Sequence, residues 1–217
     1  LTLLQNNAGL ILLGVPGAGK TTWLKFLALQ LARGHGDALG LEDRLPLLLS
    51  LSTYAATLAE KDVPLSQFLA DFYQSLGFTL PLDGLIQTTL AQGKGQLLLD
   101  GLDEVADPDL RHLLSNRLVD FFTIQQQQGN KFVITSRPAG YEVVRLLADG
   151  LLECTVAPLD TAQINQFVQQ WTAAFGQQST TESQRETAVA QRDHLLTLLA
   201  ENKALQELAS VPLLLTI

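Results

Sequence analysis

The chain has 217 residues, 47% of them apolar and 17% charged, with a formal net charge of -8. That balance belongs to a folded globular chain with a sizeable core, in one or two domains, and excludes an intrinsically disordered one. No apolar run approaches the roughly 20 residues of a membrane span, and the 14 Lys and Arg are scattered without a basic stripe, so direct nucleic-acid binding by this piece is not expected. Cys154 is the only cysteine, which rules out an internal disulfide and argues against a thiolate zinc site. His35, His112 and His194 lie far apart without ligand spacing and read as surface or packing residues. The start, Leu1-Thr2-Leu3-Leu4, shows neither the basic region nor the cleavage pattern of a signal peptide. With no initiating Met and an apolar close at Val211–Ile217, the sequence reads as a piece of something longer.

The first predicted strand is the apolar run Leu10–Leu13, followed by Gly14-Val15-Pro16-Gly17-Ala18-Gly19-Lys20-Thr21-Thr22. This fits the phosphate-loop pattern G-x-x-x-x-G-K-[ST], and a helix predicted over Thr21–Arg33 supplies the strand-loop-helix context the motif requires. Gly14, Gly17 and Gly19 let the backbone curl so that successive N–H groups point inward, and the new helix adds its positive end. Lys20 offers a mobile ammonium for the outer phosphates, and Thr21 a hydroxyl for magnesium.

Strands are next expected at Leu47–Leu51 and Gln96–Leu99, with helices over Leu65–Leu76 and Leu82–Gln92 between them. The third strand runs into Asp100-Gly101-Leu102-Asp103-Glu104. An apolar strand ending in Asp places a carboxylate at the sheet edge near the phosphate loop, where it can hold magnesium directly or through water. Gly101 leaves room beside the metal, and Asp103 or Glu104 could orient or deprotonate an attacking water. Asp107–Gln125 is the clearest helix: Leu110, Leu113, Leu114, Leu118, Phe121 and Phe122 give one apolar face, Pro108 suits its first turn and Gly129 its end. Gln125–Gln128 reads as its solvated end.

The strand Phe132–Thr135 ends in Thr135-Ser136-Arg137-Pro138. Pro138 holds Arg137 extended, so that its guanidinium could sense a γ-phosphate or brace the acidic rim. A last strand is expected at Glu153–Val156. Alternating strands and helices give a parallel α/β sheet with right-handed crossovers. After Pro158 only helical patterns remain. Ile164, Phe167, Val168, Trp171 and Phe175 mark one helix. A second carries Leu195, Leu196, Leu198 and Leu199 and opens on a Thr181–Gln184 capping box. A short third helix covers Ala204–Ala209. A boundary near Ala157–Asp160 therefore divides a nucleotide-binding domain, 1–157, from a helical subdomain, 158–217.

These motifs, in this order, resemble the NACHT family of STAND P-loop NTPases, which includes animal NOD-like receptors and bacterial defence proteins. The small residue after the strand-end aspartate, the distal acidic pair and the segment Leu208–Leu215 are similar to that family's own variations. The resemblance implies an α/β P-loop NTPase sheet of order 5-1-4-3-2, flanked by helices and followed by a small all-α helical subdomain. It implies a cradle of Gly14, Val15, Pro16, Gly17, Ala18, Gly19, Lys20, Thr21 and Thr22, with Lys20 on the β- and γ-phosphates. Thr21 and Asp100 would serve Mg2+, Glu104 with Asp103 the hydrolytic water, Arg137 the γ-phosphate, and Pro212 the base. The cofactors implied are ATP or ADP, with GTP left open, and Mg2+. The implied activity is a slow ATPase acting as a cytoplasmic molecular switch in innate or antiviral defence. The full-length protein would self-associate in the ATP state. A continuously cycling AAA+-type motor and, more weakly, a small-molecule kinase are the alternatives; the first needs an arginine finger and the second an arginine-bearing lid, and neither is evident.

Overall fold

The computed structural model describes residues 1–77, 80–178 and 182–215. They divide into two compact units, one made of Leu1–Val15 with Lys20–Val156, the other of Pro16–Gly19 with Ala157–Ile217.

In the first unit the elements run α1 (Thr2–Asn6), β1 (Gly9–Leu13), α2 (Lys20–Ala32), β2 (Leu45–Ser50), α3 (Leu51–Glu60), α4 (Leu65–Ser75) and α5 (Leu82–Ala91). They continue with β3 (Gly95–Asp100), α6 (Pro108–Gln127), β4 (Lys131–Ser136), α7 (Pro138–Val143) and β5 (Leu151–Thr155). The five strands form one sheet in the order β2-β3-β4-β1-β5, every pair parallel. This is the expected order, with the arginine-bearing strand between the phosphate-loop strand and the acidic strand. All five predicted strands are present within two residues of their expected bounds.

The strands are continuous apolar runs because both sheet faces are covered. Leu97, Leu99, Phe132 and Ile134 face one core with Tyr54, Leu69, Leu114, Leu118 and Phe122. Leu98 and Val133, one residue out of phase, face the other with Leu24, Leu27, Leu31 and Leu4. The two-residue side-chain period of a strand thus sorts α3–α6 to one side and α1 and α2 to the other. Phe122 meets Phe132 edge to face with ring centroids 5.0 Å apart.

Three helices escape the sequence reading. Leu51, assigned there to a strand, instead begins α3, whose buried residues Leu51, Tyr54, Ala55 and Leu58 recur at helical spacing. The helices α1 and α7 have five and six residues, too short to display a period. For α6, Pro108 sits in the first turn and Asp107 Oδ1 accepts from the amides of Asp109 (2.9 Å) and Leu110 (3.0 Å). Of its predicted apolar face, Leu114, Leu118 and Phe122 are buried, while Leu113 is exposed.

The second unit holds α8 (Thr161–Gln178), α9 (Glu182–Glu201), α10 (Lys203–Ala209) and a 3-10 turn, Pro212–Leu215. Its core is Ile164, Val168, Leu199 and Ala209, with Leu159, Leu196 and Leu215 at the edge. Leu195 and Leu198 are exposed, so only half of the predicted leucine stripe is covered. Trp171 is exposed as well, stacked on Phe167 at 6.1 Å. Thr181 of the predicted capping box lies outside the described residues. A reciprocal box opens α8 instead: Asp160 Oδ1 accepts from the Gln163 amide (2.8 Å), and Gln163 Oε1 accepts from the Asp160 amide (3.0 Å). Within this unit the Leu213 amide donates to the Gly17 carbonyl at 3.3 Å, and Pro212, half-buried, opens the 3-10 turn.

Candidate functional site

The C-terminal ends of β1, β3 and β4 lie side by side, which brings residues far apart in sequence to one rim. At its centre is Asp100, the last residue of β3. The hydroxyl of Thr21, in the first turn of α2, donates to Asp100 Oδ2 at 2.8 Å across 79 positions of sequence. The hydroxyl of Thr135 on β4 donates to Asp100 Oδ1 at 2.5 Å and accepts the Gly101 amide at 2.9 Å. Thr135 is buried and fixes both the carboxylate and the turn that follows it. Its role is not signalled by its motif; only the pairing of β3 with β4 reveals it.

Gly101 has φ +80, a left-handed conformation that side chains resist. The space a Cβ would take is filled by Glu104, whose Cδ would stand 2.7 Å from it. The glycine therefore serves the turn and the approach of Glu104. Glu104 is exposed on the 3-10 turn Leu102–Glu104.

Lys20 donates from Nζ to the carbonyls of Gly14 (2.6 Å) and Val15 (3.3 Å). Burial holds its pKa below the usual lysine value, Asp103 acts most strongly against that, and Arg137 adds to the lowering. Gly17 and Gly19 take φ +79 and +89, as a curled phosphate loop requires. Pro16, Gly17, Ala18, Gly19 and Pro212 belong to the second unit; Gly14, Val15, Lys20, Thr21 and Thr22 belong to the first.

Arg137 follows β4 in an extended conformation (φ -84, ψ 147), with Pro138 opening α7 behind it. Its amide donates to Asp103 Oδ1 at 2.9 Å, and its Nε lies 3.1 Å from Asp103 Oδ2. Of the two contacts left open for this guanidinium, the one with the acidic rim is present. Asp103, 11% exposed at its side chain, is occupied on both oxygens by Arg137.

The donor set suits magnesium. Thr21 Oγ1 and Asp100 Oδ2, 2.8 Å apart, are spaced like neighbouring corners of an octahedron with bonds of about 2.0–2.1 Å. Magnesium takes few protein ligands beside phosphates and water, and among the described residues no group of three His, Cys, Asp or Glu forms a metal cage.

The sequence model of the NACHT domain matches residues 9–174. The chain belongs to the NACHT family. This is a family of P-loop nucleoside triphosphatases, so nucleotide and Mg2+ are its expected ligands. No curated protein matches the sequence. Solved structures with similarity include a signal transduction ATPase with numerous domains (STAND) and a tetratricopeptide repeat sensor from Pyrococcus horikoshii, at 13% identity and TM-score 0.45, covering 92% of this chain and 26% of that one. A DNA replication initiation factor is similar at 13% identity and TM-score 0.46, covering 92% and 58%. The FIGL-1 AAA domain in complex with ADP is similar at 14% identity and TM-score 0.40, covering 77% and 49%. The chain thus spans about a quarter of the STAND protein's length. Among the described residues no helix is long and apolar enough to cross a membrane.

Proposed function

We propose that this NACHT chain is the nucleotide-binding engine of a molecular switch. ADP favours a closed, monomeric state, ATP an open, self-assembling one, and slow hydrolysis returns the second to the first. The observation that carries this reading is the Thr21–Asp100 pair, held at 2.8 Å beside Lys20 and buttressed by Thr135. A hydroxyl, a carboxylate and an ammonium at one rim are what a magnesium-bound polyphosphate requires.

Bound magnesium would neutralise phosphate charge. The protein's own groups then divide the work. Thr21 and Asp100 would hold the metal, and Lys20 would turn from the loop carbonyls to the β- and γ-phosphates. Glu104, exposed at the rim and not paired with Arg137, orients or deprotonates the water. Arg137 contacts the γ-phosphate, a group that ADP lacks. Such a contact is the differential affinity without which a ligand shifts no equilibrium. Pro212 would pack against the base. A cytoplasmic setting and a role in innate or antiviral defence come to the reading from the family resemblance.

The test is assembly and turnover of the longer protein. Light scattering should show larger particles with MgATP than with MgADP, and the difference should vanish in Lys20→Ala. Equal particle size in both nucleotides would overturn the switch. Turnover of about 1 per second or faster would favour a cycling motor.

A further inference from the structure

The arrangement around Arg137 has parts that nucleotide binding alone does not require. Asp103 takes the Arg137 amide on one oxygen and Nε on the other, at 2.9 and 3.1 Å. The ion pair meets the guanidinium on its Nε side. Among the described residues Nη1 and Nη2 have no partner, and the side chain is 54% exposed. The planar fork is therefore held by its stem, with its two outer nitrogens presented. Gly140, in the first turns of α7, lies directly on this clamp: a Cβ there would run into Asp103 Cβ and stand 3.3 Å from its Cα. Gly140 does not take a positive φ, so its backbone does not explain the absence of a side chain. The close approach of α7 to Asp103 does.

We propose that Asp103 and Gly140 are positioning residues that act through Arg137. Asp103 fixes the guanidinium in the pose that meets a γ-phosphate, and Gly140 admits the helix that makes this possible. The water and the metal are left to Glu104 and Asp100. This rests on the reading of Arg137 given under Proposed function. The clamp supplies preorganisation: a long, rotamer-rich side chain is ordered before the ligand arrives, so less freedom is lost on binding.

The test is a double-mutant cycle read in nucleotide preference rather than in turnover. ADP and an ATP analogue with a non-hydrolysable β–γ bridge are titrated, with Mg2+, into wild type, Asp103→Asn, Arg137→Ala and the double variant. Arg137→Ala should lower the preference for the analogue over ADP about tenfold, as expected for a lost charge-assisted bond. Asp103→Asn should lower it about threefold to tenfold, and the double variant should match Arg137→Ala alone. Gly140→Ala should reproduce the Asp103→Asn loss and add nothing in the Arg137→Ala background. On helix propensity alone that substitution would only stabilise α7. It also serves as the second arm should Asp103→Asn fail to fold. Losses that add across the cycle would overturn the clamp while leaving the nucleotide site standing. A wild type that binds both ligands equally, or neither, would overturn the reading of Arg137 and the clamp with it.

Discussion

The two ends of the sheet use positive charge differently. At the N-terminal ends of the strands, Arg44 donates to the carbonyls of Leu41 (3.0 Å), Gly93 (2.9 Å) and Gly129 (3.0 Å). Lys131 there donates to those of Leu4 (3.1 Å), Gln5 (2.8 Å) and Asn7 (2.7 Å), closing the end of α1. Asn130 completes this floor, accepting the Gly95 amide and donating to Leu90 O. At the C-terminal rim the cations meet acids: Lys20 stands among Asp100, Asp103 and Glu104, and Arg137 is clamped by Asp103. A cation bonded to several backbone carbonyls from separate segments joins those segments together. Lys20, resting on the carbonyls of a single loop, and Arg137, paired on one side, keep donors to offer. The same residue types are structural at one end and available for chemistry at the other.

The comparison can be broken by exchanging effects between the ends. The largest is expected from Lys20→Ala: affinity for MgATP should fall about 100-fold with little change in melting temperature, by calorimetric titration and thermal melts. Next is Arg44→Ala, which should cost about 2 kcal/mol of stability in urea unfolding while leaving nucleotide affinity of the folded protein unchanged. If Arg44→Ala weakened binding as much as Lys20→Ala, the division between floor and rim would fail.

Asp107 sharpens the comparison, because it is an acid near the rim that is spent on structure. Its carboxylate caps α6, so Asp107→Ala should destabilise by about 1 kcal/mol and leave magnesium-dependent binding intact. A pH-dependent effect lies in the core between the two ends. Burial pushes the phenols of Tyr54 and Tyr141 up to about 12 from 10.0. Above pH 10 the unfolded chain releases these protons while the folded chain keeps them, so stability should fall between pH 10 and pH 12. Urea midpoints measured across that range should decline less steeply in Tyr54→Phe and Tyr141→Phe.

Much of the fold is legible in the sequence because the strands are doubly buried and read as unbroken apolar runs. The loop, the acidic box and the arginine motif are equally plain, since each lies at the end of a strand. What escaped was whatever depends on the neighbour across the sheet. Thr135 steadies Asp100 from 35 positions away, and Asp103 reaches Arg137 from 34; no local period encodes either. The helix α3 is hidden for a different reason. Its apolar start, Leu51, continues the apolar run from Leu47 and so masks the helical spacing of Leu51, Tyr54, Ala55 and Leu58. Pro138 both holds Arg137 extended and, as a proline at the first helical position, opens α7.

The most direct test of the nucleotide site is calorimetric titration of ADP and of a non-hydrolysable ATP analogue into the folded chain, with and without Mg2+. The expected result is saturable binding of both, tightened by the metal, with the tightening lost in Asp100→Asn. Folded protein that takes up no purine di- or triphosphate, or takes it up with the same affinity whether or not magnesium is present, would contradict the assignment of Thr21 and Asp100.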